Sequence, residues 1–357
     1  MAFPNLVERI ALDVNRSYVR EQARIRPLTQ LFWECTLRCN MRCRHCGSDC
    51  KISTVHPDMP FEDFRKVLLR VREAYDPHKL LIILSGGEPL MRQDLAECGR
   101  QIRALGFPWG LVSNGLLMTD ARIDELLKAG MRTATISLDG LEAEHDWMRG
   151  VPGAFTHASA AIRRLAGESI PFDVVTCVNQ RNFPKLNEIK EYLISLGLKQ
   201  WRIFTVFPVG RAASDPELQI DNRQYRELMD FIVRTRKEGR IHLSYGCEGF
   251  LGRYEGKVRD HLFSCQAGIT IGSVRIDGAI SGCTSIRSHF DQGNIYTDDF
   301  VEVWQQRFQD FRDHAKFRTE ACAECKYWKW CQGNGMHLRD EDGRLIMCNL
   351  ERLGLAG

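Results

Sequence analysis

Short apolar runs alternate with longer amphipathic segments through the first two thirds of the chain. The run at 80–84 has the length of a buried strand, and apolar positions at helical spacing follow it. The predicted strands are 29–34, 80–85, 107–113, 132–138, 172–178 and 200–207. The predicted helices are 5–24, 60–74, 92–105, 119–129, 155–166, 184–196 and 221–238. Strands that alternate with helices of this length predict parallel βαβ units and therefore an α/β fold.

The two ends of the chain differ from this alternating middle. Apolar positions at helical spacing support the first predicted helix; they are Leu6, Ile10, Val14 and Tyr18. Residues 269–281 alternate around an Asp-Gly pair, which predicts a hairpin, and 299–312 are predicted to be helical. The predicted divisions are an N-terminal helix (1–28), a barrel (29–215), a connecting helix (216–239) and a cysteine-bearing domain (240–357).

Composition narrows the class of protein. The chain has 357 residues, of which 44% are hydrophobic and 27% charged, as in ordinary globular proteins. Its net charge of +3 is too small to favour a nucleic acid or a membrane surface as partner. No apolar run approaches the ~20 residues of a membrane-spanning helix, and the first residues lack the apolar core of a signal peptide. We therefore expect a cytoplasmic protein without a membrane span.

Fourteen cysteines are unusual for such a protein. Most of them fall into three groups, at 35–50, 247–283 and 322–348. In a reducing compartment, grouped cysteines hold metal more often than they form disulfides. The cysteines therefore predict metal sites.

The first group contains Cys39, Cys43 and Cys46, spaced C-x3-C-x2-C directly after the first predicted strand. Three thiolates on one loop can hold three corners of a cubane iron–sulfur cluster, and the fourth iron is then open to a ligand. The alternative is a closed zinc site with Cys35 or Cys50 as the fourth ligand.

Polar or glycine-rich turns follow the other predicted strands. They are 86–89, 113–115, 137–140, 179–182 and 208–212. The carboxyl ends of parallel barrel strands share one rim, where active residues lie. Each turn alone is an ordinary turn sequence, but their common placement on the rim favours a functional site.

The C-x3-C-x2-C motif together with Gly86-Gly87-Glu88-Pro89 resembles the two signature motifs of the radical S-adenosylmethionine (radical SAM) enzymes. The resemblance implies a partial (β/α)6 TIM-like barrel, S-adenosylmethionine as cofactor and a catalytic [4Fe–4S] cluster on the three cysteines. It also implies that the rim binds S-adenosylmethionine. The residues that it assigns to this role are Gly86, Gly87, Glu88, Pro89, Asn114, Ser137, Asp139, Arg149 and Asn182.

The last cysteines, Cys322, Cys325, Cys331 and Cys348, read alone as a zinc knuckle. After a radical SAM motif they resemble the SPASM extension, a small C-terminal domain that binds auxiliary [4Fe–4S] clusters. A first auxiliary cluster would then use Cys247, Cys265 and Cys283. One departure stands out, because the family pattern has a further cysteine at position 335 and this chain has Gly335. The resemblance therefore implies one or two auxiliary clusters.

Enzymes with this extension mostly modify ribosomally made peptides. The resemblance therefore implies hydrogen abstraction from a peptide or protein substrate, with cross-linking, epimerisation or oxidation as the outcome. A finer resemblance is to a subgroup paired with a lipoprotein or precursor peptide, and the implied electron donor is a flavodoxin or ferredoxin. The alternatives are maturation of a small molecule or cofactor, and a non-catalytic iron–sulfur or zinc protein.

Overall fold

The computed structural model describes residues 3–246, 248–286 and 290–355. In these ranges the strands are β1 (Gln30–Thr36), β2 (Leu81–Gly86), β3 (Trp109–Ser113), β4 (Met131–Ser137), β5 (Phe172–Val178), β6 (Gln200–Thr205), β7 (His242–Tyr245), β8 (Ile271–Val274), β9 (Ala279–Ser281) and β10 (Gly293–Asn294). The helices are α1 (Leu6–Ile25), α2 (Phe61–Ala74), α3 (Leu95–Ala104), α4 (Asp120–Lys128), α5 (Glu142–Arg149), α6 (Ala154–Ala166), α7 (Leu186–Ser195), α8 (Asn222–Glu238), α9 (Phe300–Gln306), α10 (Gln309–Arg312), α11 (Trp328–Cys331) and α12 (Asn349–Arg352).

All described strands belong to one sheet, in the order β10-β9-β8-β1-β2-β3-β4-β5-β6-β7. Strands β1 to β7 run parallel in chain order, with crossover helices between the first six. The α/β fold with a partial barrel is thereby confirmed. The six predicted strands and their helices are all present, with ends shifted by three residues or fewer.

The cysteine-bearing region continues this sheet at both edges. Strand β7 pairs with β6, and β8 pairs in parallel with the free side of β1. The predicted hairpin is confirmed as β8 and β9, which pair antiparallel. The predicted helix 299–312 is instead two short helices, α9 and α10, separated at Phe308, whose φ is 69°. The predicted domain boundaries stay a prediction, and the sheet continues across the boundaries at 215/216 and 239/240.

Helix α1 is confirmed, but its apolar stripe is not its buried face. Leu6, Ile10, Val14 and Tyr18 are 64%, 55%, 65% and 60% exposed. The buried apolar residues of the helix are instead Leu12 and Val19, and polar groups also contact the C-terminal region, with the Trp330 indole N–H donating to Asp13 at 2.7 Å. Periodicity therefore identified the helix without identifying the face that it packs. Within the described ranges, no helix is long and apolar enough to cross a membrane.

Tryptophans on the strands fill the space between sheet and helices. Trp33 of β1 is fully buried and stacks on Phe64 of α2, with ring centroids 4.6 Å apart. Trp109 of β3 is also fully buried, and its indole N–H donates to the Ala129 carbonyl at 3.3 Å. A Cβ atom added to Gly99 of α3 would lie 2.2 Å from the Trp109 ring. Gly99 therefore lets α3 approach the sheet closely.

We predict that Gly99→Ala lowers the free energy of unfolding by about 1–3 kcal/mol, because overpacking of the Trp109 ring outweighs the gain of about 1 kcal/mol in helix propensity. Gly167→Ala is the control, since its added Cβ would meet only the Arg164 carbonyl at 3.5 Å. Urea unfolding of the two variants checks the prediction. A Gly99→Ala protein that is more stable than the wild type would contradict it.

Candidate active site

The first three metal-ligand candidates lie on a loop that closes on itself after β1. The Cys39 N–H donates to the Lys51 carbonyl at 2.7 Å, so residues 39 and 51 are held together. Arg211, beyond the end of β6, donates to the carbonyls of Cys43 at 2.8 Å and Cys50 at 3.2 Å. The loop is therefore fixed both at its base and from the far side of the barrel rim.

The turn after β2 packs its backbone directly against this loop. The Gly87 N–H donates to the Thr36 carbonyl and the Glu88 N–H to the Arg38 carbonyl, each at 2.8 Å. A Cβ atom on Gly86 would lie 2.0 Å from the Thr36 oxygen, and one on Gly87 would lie 2.2 Å from the Arg38 oxygen. Two glycines are therefore required here because two backbones are in contact.

Glu88 connects this turn to the end of β3. Its carboxylate accepts hydrogen bonds from the Ser113 hydroxyl at 2.9 Å, the Asn114 N–H at 2.8 Å and the Leu90 N–H at 3.2 Å. Burial raises the pKa of Glu88 to about 7, and the hydrogen bonds from Asn114, Leu90 and Ser113 act in the opposite direction. The side chain thus holds together two strand ends on the rim.

A buried ion pair lies beside the cysteine loop. Arg149 Nη2 is 2.6 Å from Asp139 Oδ2, and Arg149 Nη1 is 3.7 Å from Cys43 Sγ. Burial alone would raise the pKa of Asp139, but Arg149 holds it below its ordinary value. Burial raises the pKa of the Cys43 thiol, and the Arg149 charge opposes this. Arg149 is therefore placed to stabilise a thiolate at position 43.

Asn182 and Asn114 fix further strand ends. The Asn182 amide donates to the Asp139 carbonyl at 2.7 Å and to the Cys177 carbonyl at 2.9 Å, which ties the end of β4 to that of β5. The Asn114 amide donates to Asn40 Oδ1 at 2.8 Å and lies 3.9 Å from Cys39 Sγ. Both amides orient backbone around the cysteine loop.

These groups surround a cavity of about 130 Å³. Of the predicted site residues, those that line it are Cys39, Cys43, Cys46, Gly86, Gly87, Asn114, Ser137 and Arg149. The predicted residues Glu88, Pro89, Asp139 and Asn182 are not part of its wall, and direct binding of S-adenosylmethionine by them stays a prediction. The other lining residues are Met41, His45, Cys50, Val112, Ser113 and Arg211, of which only Cys50 was considered as a ligand from the sequence. The sequence indicated Arg211 only through its position in the turn 208–212, which follows the last predicted barrel strand.

The donor set of this cavity fits a cubane cluster. The Met41 N–H donates to the Cys39 thiol, as backbone groups do around cluster sulfurs. A hydrogen bond from the Cys50 thiol lowers the pKa of Cys46 to about 5. In the part of the chain that is described, no three His, Cys, Asp or Glu side chains converge as they would on a single ion. A cubane does not need such convergence, because each thiolate binds a different iron.

A second, larger cavity of about 710 Å³ adjoins the first. His45, Gly86 and Val112 line both cavities, so the two share a wall. The larger cavity extends from the inside of the barrel to the C-terminal region, where Met336, His337 and Arg339 contribute to its wall. A substrate held there would lie next to the ligand of the open iron.

The C-terminal cysteines come together as two sets. Cys322 and Cys348 line a cavity of about 280 Å³. Burial raises the pKa of the Cys331 thiol, to which the Asn334 N–H donates at 3.3 Å, and the neighbouring Cys348 and Cys322 raise it further. Cys325 is near enough to affect the pKa of both Cys322 and Cys348. This four-thiol set fits a cluster whose irons all have protein ligands.

Of the three cysteines predicted to bind the first auxiliary cluster, two lie in the described residues. Burial raises the pKa of Cys265, the Met336 N–H donates to its thiol, and Cys283 lies near enough to raise the pKa further. The third predicted ligand, Cys247, lies outside the described residues. Arg339, whose guanidinium donates to the Gly333 and Gly343 carbonyls, is close to thiols of both sets.

Comparison with known families agrees with this geometry. Residues 33–193 match the radical SAM superfamily, and residues 265–326 match SPASM, an iron–sulfur cluster-binding domain. The chain therefore contains a radical SAM domain and a SPASM domain, and these domains imply [4Fe–4S] clusters and S-adenosylmethionine as cofactors.

The names of individual relatives refer to two classes of molecule, haem and peptides. The AdoMet-dependent heme synthase of Oleidesulfovibrio alaskensis is 29% identical over 335 residues, with 87% of this chain and 85% of the relative covered. The PqqA peptide cyclase of Rhizobium meliloti is 26% identical, with 80% and 79% covered. The crystal structure of Streptococcus suis SuiB bound to the precursor peptide SuiA has the same fold, with a TM-score of 0.68, 15% identity and coverage of 94% of this chain and 78% of SuiB.

We predict that replacing Cys39, Cys43 and Cys46 together by Ala removes about four irons per chain and abolishes formation of 5′-deoxyadenosine, because the open iron of this cluster is the one that binds S-adenosylmethionine. Cys35→Ala and Cys50→Ala should keep both the iron and the product. Iron analysis and chromatography after anaerobic reduction check this. Loss of the same four irons in either single variant would show that the ligands are misassigned.

We predict that Glu88→Gln weakens binding of S-adenosylmethionine about tenfold or more, since the resemblance assigns the carboxylate to the cofactor and a hydrogen bond to a charged group contributes roughly 1.5–3 kcal/mol. Iron content should not change. Glu97→Gln, which removes an exposed carboxylate on α3, is the control. Equal affinity of wild type and Glu88→Gln would mean that Glu88 is only a turn residue.

Proposed function

We propose that this enzyme abstracts a hydrogen atom from a compact, largely apolar substrate held in the 710 Å³ cavity, and that the substrate is a tetrapyrrole of the haem-precursor class. The observation that carries the proposal is the wall shared by this cavity and the cluster cavity. A substrate atom at that wall would be next to the place where S-adenosylmethionine binds the open iron.

The walls of the larger cavity suit a flat macrocycle. Phe32 comes from β1, Phe204 from β6, and Phe207 and Phe290 from the segments beyond, so aromatic faces surround the space. Its volume is within the range of about 300–1,000 Å³ that is usual for small-molecule sites. Arg339 places a cation on the same wall, which also carries the acidic residues Glu34, Asp340 and Glu341. Similarity to the heme synthase over 87% of the chain supports this substrate class.

The chain's own residues hold and shield the reacting groups. When bound, the reduced cluster supplies one electron to S-adenosylmethionine and so gives a 5′-deoxyadenosyl radical. Arg149 would balance the negative charge of the thiolates, and Val112 and the glycine turn line the cluster cavity. His45 lies between the cavities, and burial lowers its pKa to about 4, so it is neutral there. Auxiliary clusters bound by the C-terminal cysteines would accept an electron from the substrate side, and a flavodoxin or ferredoxin is the proposed external donor.

The second candidate is a peptide or protein substrate, modified by cross-linking, epimerisation or oxidation. What favours it is similarity to the PqqA peptide cyclase and to the fold of SuiB, which binds a precursor peptide. A ribosomally made precursor or a lipoprotein would then place one side chain in the cavity. The two candidates share the radical chemistry and differ in what enters the cavity.

Substrate trials with the reconstituted enzyme distinguish the candidates. We predict that iron-coproporphyrin III binds with a change in its absorption spectrum, increases 5′-deoxyadenosine formation and changes in mass. Val206→Trp, which adds bulk to the wall of the large cavity, should weaken this binding at least tenfold. Val14→Trp adds the same bulk on the exposed side of α1 and is the control. A porphyrin without effect, together with a mass change in a peptide encoded beside the gene, would contradict the tetrapyrrole proposal.

A further inference from the structure

The SPASM pattern has a cysteine ligand for the first auxiliary cluster at position 335, and this chain has no thiol there. Cys265 and Cys283 are close together, and the Met336 N–H donates to Cys265, so this pair lies against the loop that contains residue 335. Position 335 is glycine and cannot bind iron. A cluster here needs a ligand from another residue or has an open iron.

The backbone at position 335 does not require glycine. Its φ of −74° and ψ of 148° are ordinary extended values that any residue adopts. What excludes a side chain is the imidazole of His337. A Cβ atom on Gly335 would lie 2.7 Å from His337 Cε1 and 2.9 Å from His337 Nδ1. The His337 ring therefore fills the space into which a side chain at 335 would extend.

His337 also has a free ligand atom. Its Nε2 is buried, and no residue in the described ranges makes a hydrogen bond to it. A buried imidazole nitrogen without a partner is uncommon, because burial without a hydrogen bond is costly. The ring packs on Phe207 with centroids 4.6 Å apart, which holds its orientation. An iron atom at Nε2 would satisfy the nitrogen.

We propose that His337 replaces the missing thiol and binds one iron of the first auxiliary cluster through Nε2, while Cys265 and Cys283 bind two other irons. The neutral imidazole donates a lone pair, so no electron or proton is transferred when the bond forms. Replacing a thiolate by imidazole makes a cluster less negative and raises its reduction potential, as histidine ligands do in Rieske centres. The inference goes beyond the proposed reaction and does not depend on which substrate is used.

Iron analysis combined with a ligand exchange tests this. Three cubanes give about twelve irons per chain, which we expect in the wild type. His337→Ala should lose the nitrogen ligand but can keep the cluster, because a cubane can persist on three thiolates, as at the Cys39 site. In the double variant Gly335→Cys with His337→Ala, the clash is gone and the thiol is available, so the iron content should again be about twelve. Pulsed EPR of the reduced wild type, prepared with nitrogen-15 histidine, should show strong coupling to one directly bound nitrogen. The coupling should be absent from the double variant.

His314 is the matched control. It is a buried histidine of the same region, its Nε2 also has no partner in the described ranges, and its Nδ1 lies 2.9 Å from the Gln332 carbonyl. His314→Ala should keep the wild-type iron content and the nitrogen coupling.

Three results would overturn the proposal: about eight irons in the wild type, nitrogen coupling that persists in His337→Ala, or nitrogen coupling that is lost in His314→Ala instead. If His337→Ala is poorly folded, the nitrogen coupling of the wild type decides, and its absence overturns the proposal. Formation of 5′-deoxyadenosine, measured in parallel, depends on the Cys39 site. Its failure would count against the proposed function and not against the His337 ligand.

Discussion

The backbone contact between the glycine turn after β2 and the cysteine loop after β1 determines the geometry of the site. Gly87 and Glu88 donate to the carbonyls of Thr36 and Arg38, and the added Cβ distances leave no room for any residue larger than glycine at 86 and 87. The contact sets the position of Cys39 relative to the ends of β2 and β3. Four thiols line the resulting cavity, and if Cys39, Cys43 and Cys46 alone bind the cluster, its fourth iron stays open.

Buried charge is the second constraint. Asp139 and Arg149 are both buried, and such a pair stabilises a protein only when its geometry and hydrogen bonds are nearly complete. Here Asp139 accepts from the Cys177 N–H at 2.8 Å, while Arg149 extends to Cys43. A cation kept next to a cysteine in this way favours the thiolate that a cluster requires. The pair therefore has a chemical role that compensates for the cost of its burial.

The sequence predicted the repeating parts of the fold well. Each βαβ unit has its own periodic signal, and the cysteine spacings are local, so both could be identified without a structure. The pairing of β8 with β1 could not, because it joins residues about 240 positions apart. The contact of Arg149 with Cys43, and that of Arg211 with the same loop, likewise depend on folding. For Glu88, the sequence indicated a functional carboxylate, and only the structure shows that its oxygens accept three hydrogen bonds from the protein.

A cluster with four thiolate ligands has no free coordination site, whereas a cluster with three has one iron open to another ligand. Whether that iron binds S-adenosylmethionine is therefore the most direct test of the proposed site. Mössbauer spectroscopy of protein reconstituted with iron-57 can follow that iron when S-adenosylmethionine is added. The account predicts that one iron of the Cys39–Cys43–Cys46 cluster changes its signal and that the four-thiol auxiliary cluster does not. A spectrum that stays the same on addition, in protein with its full iron content, would contradict the open-iron site.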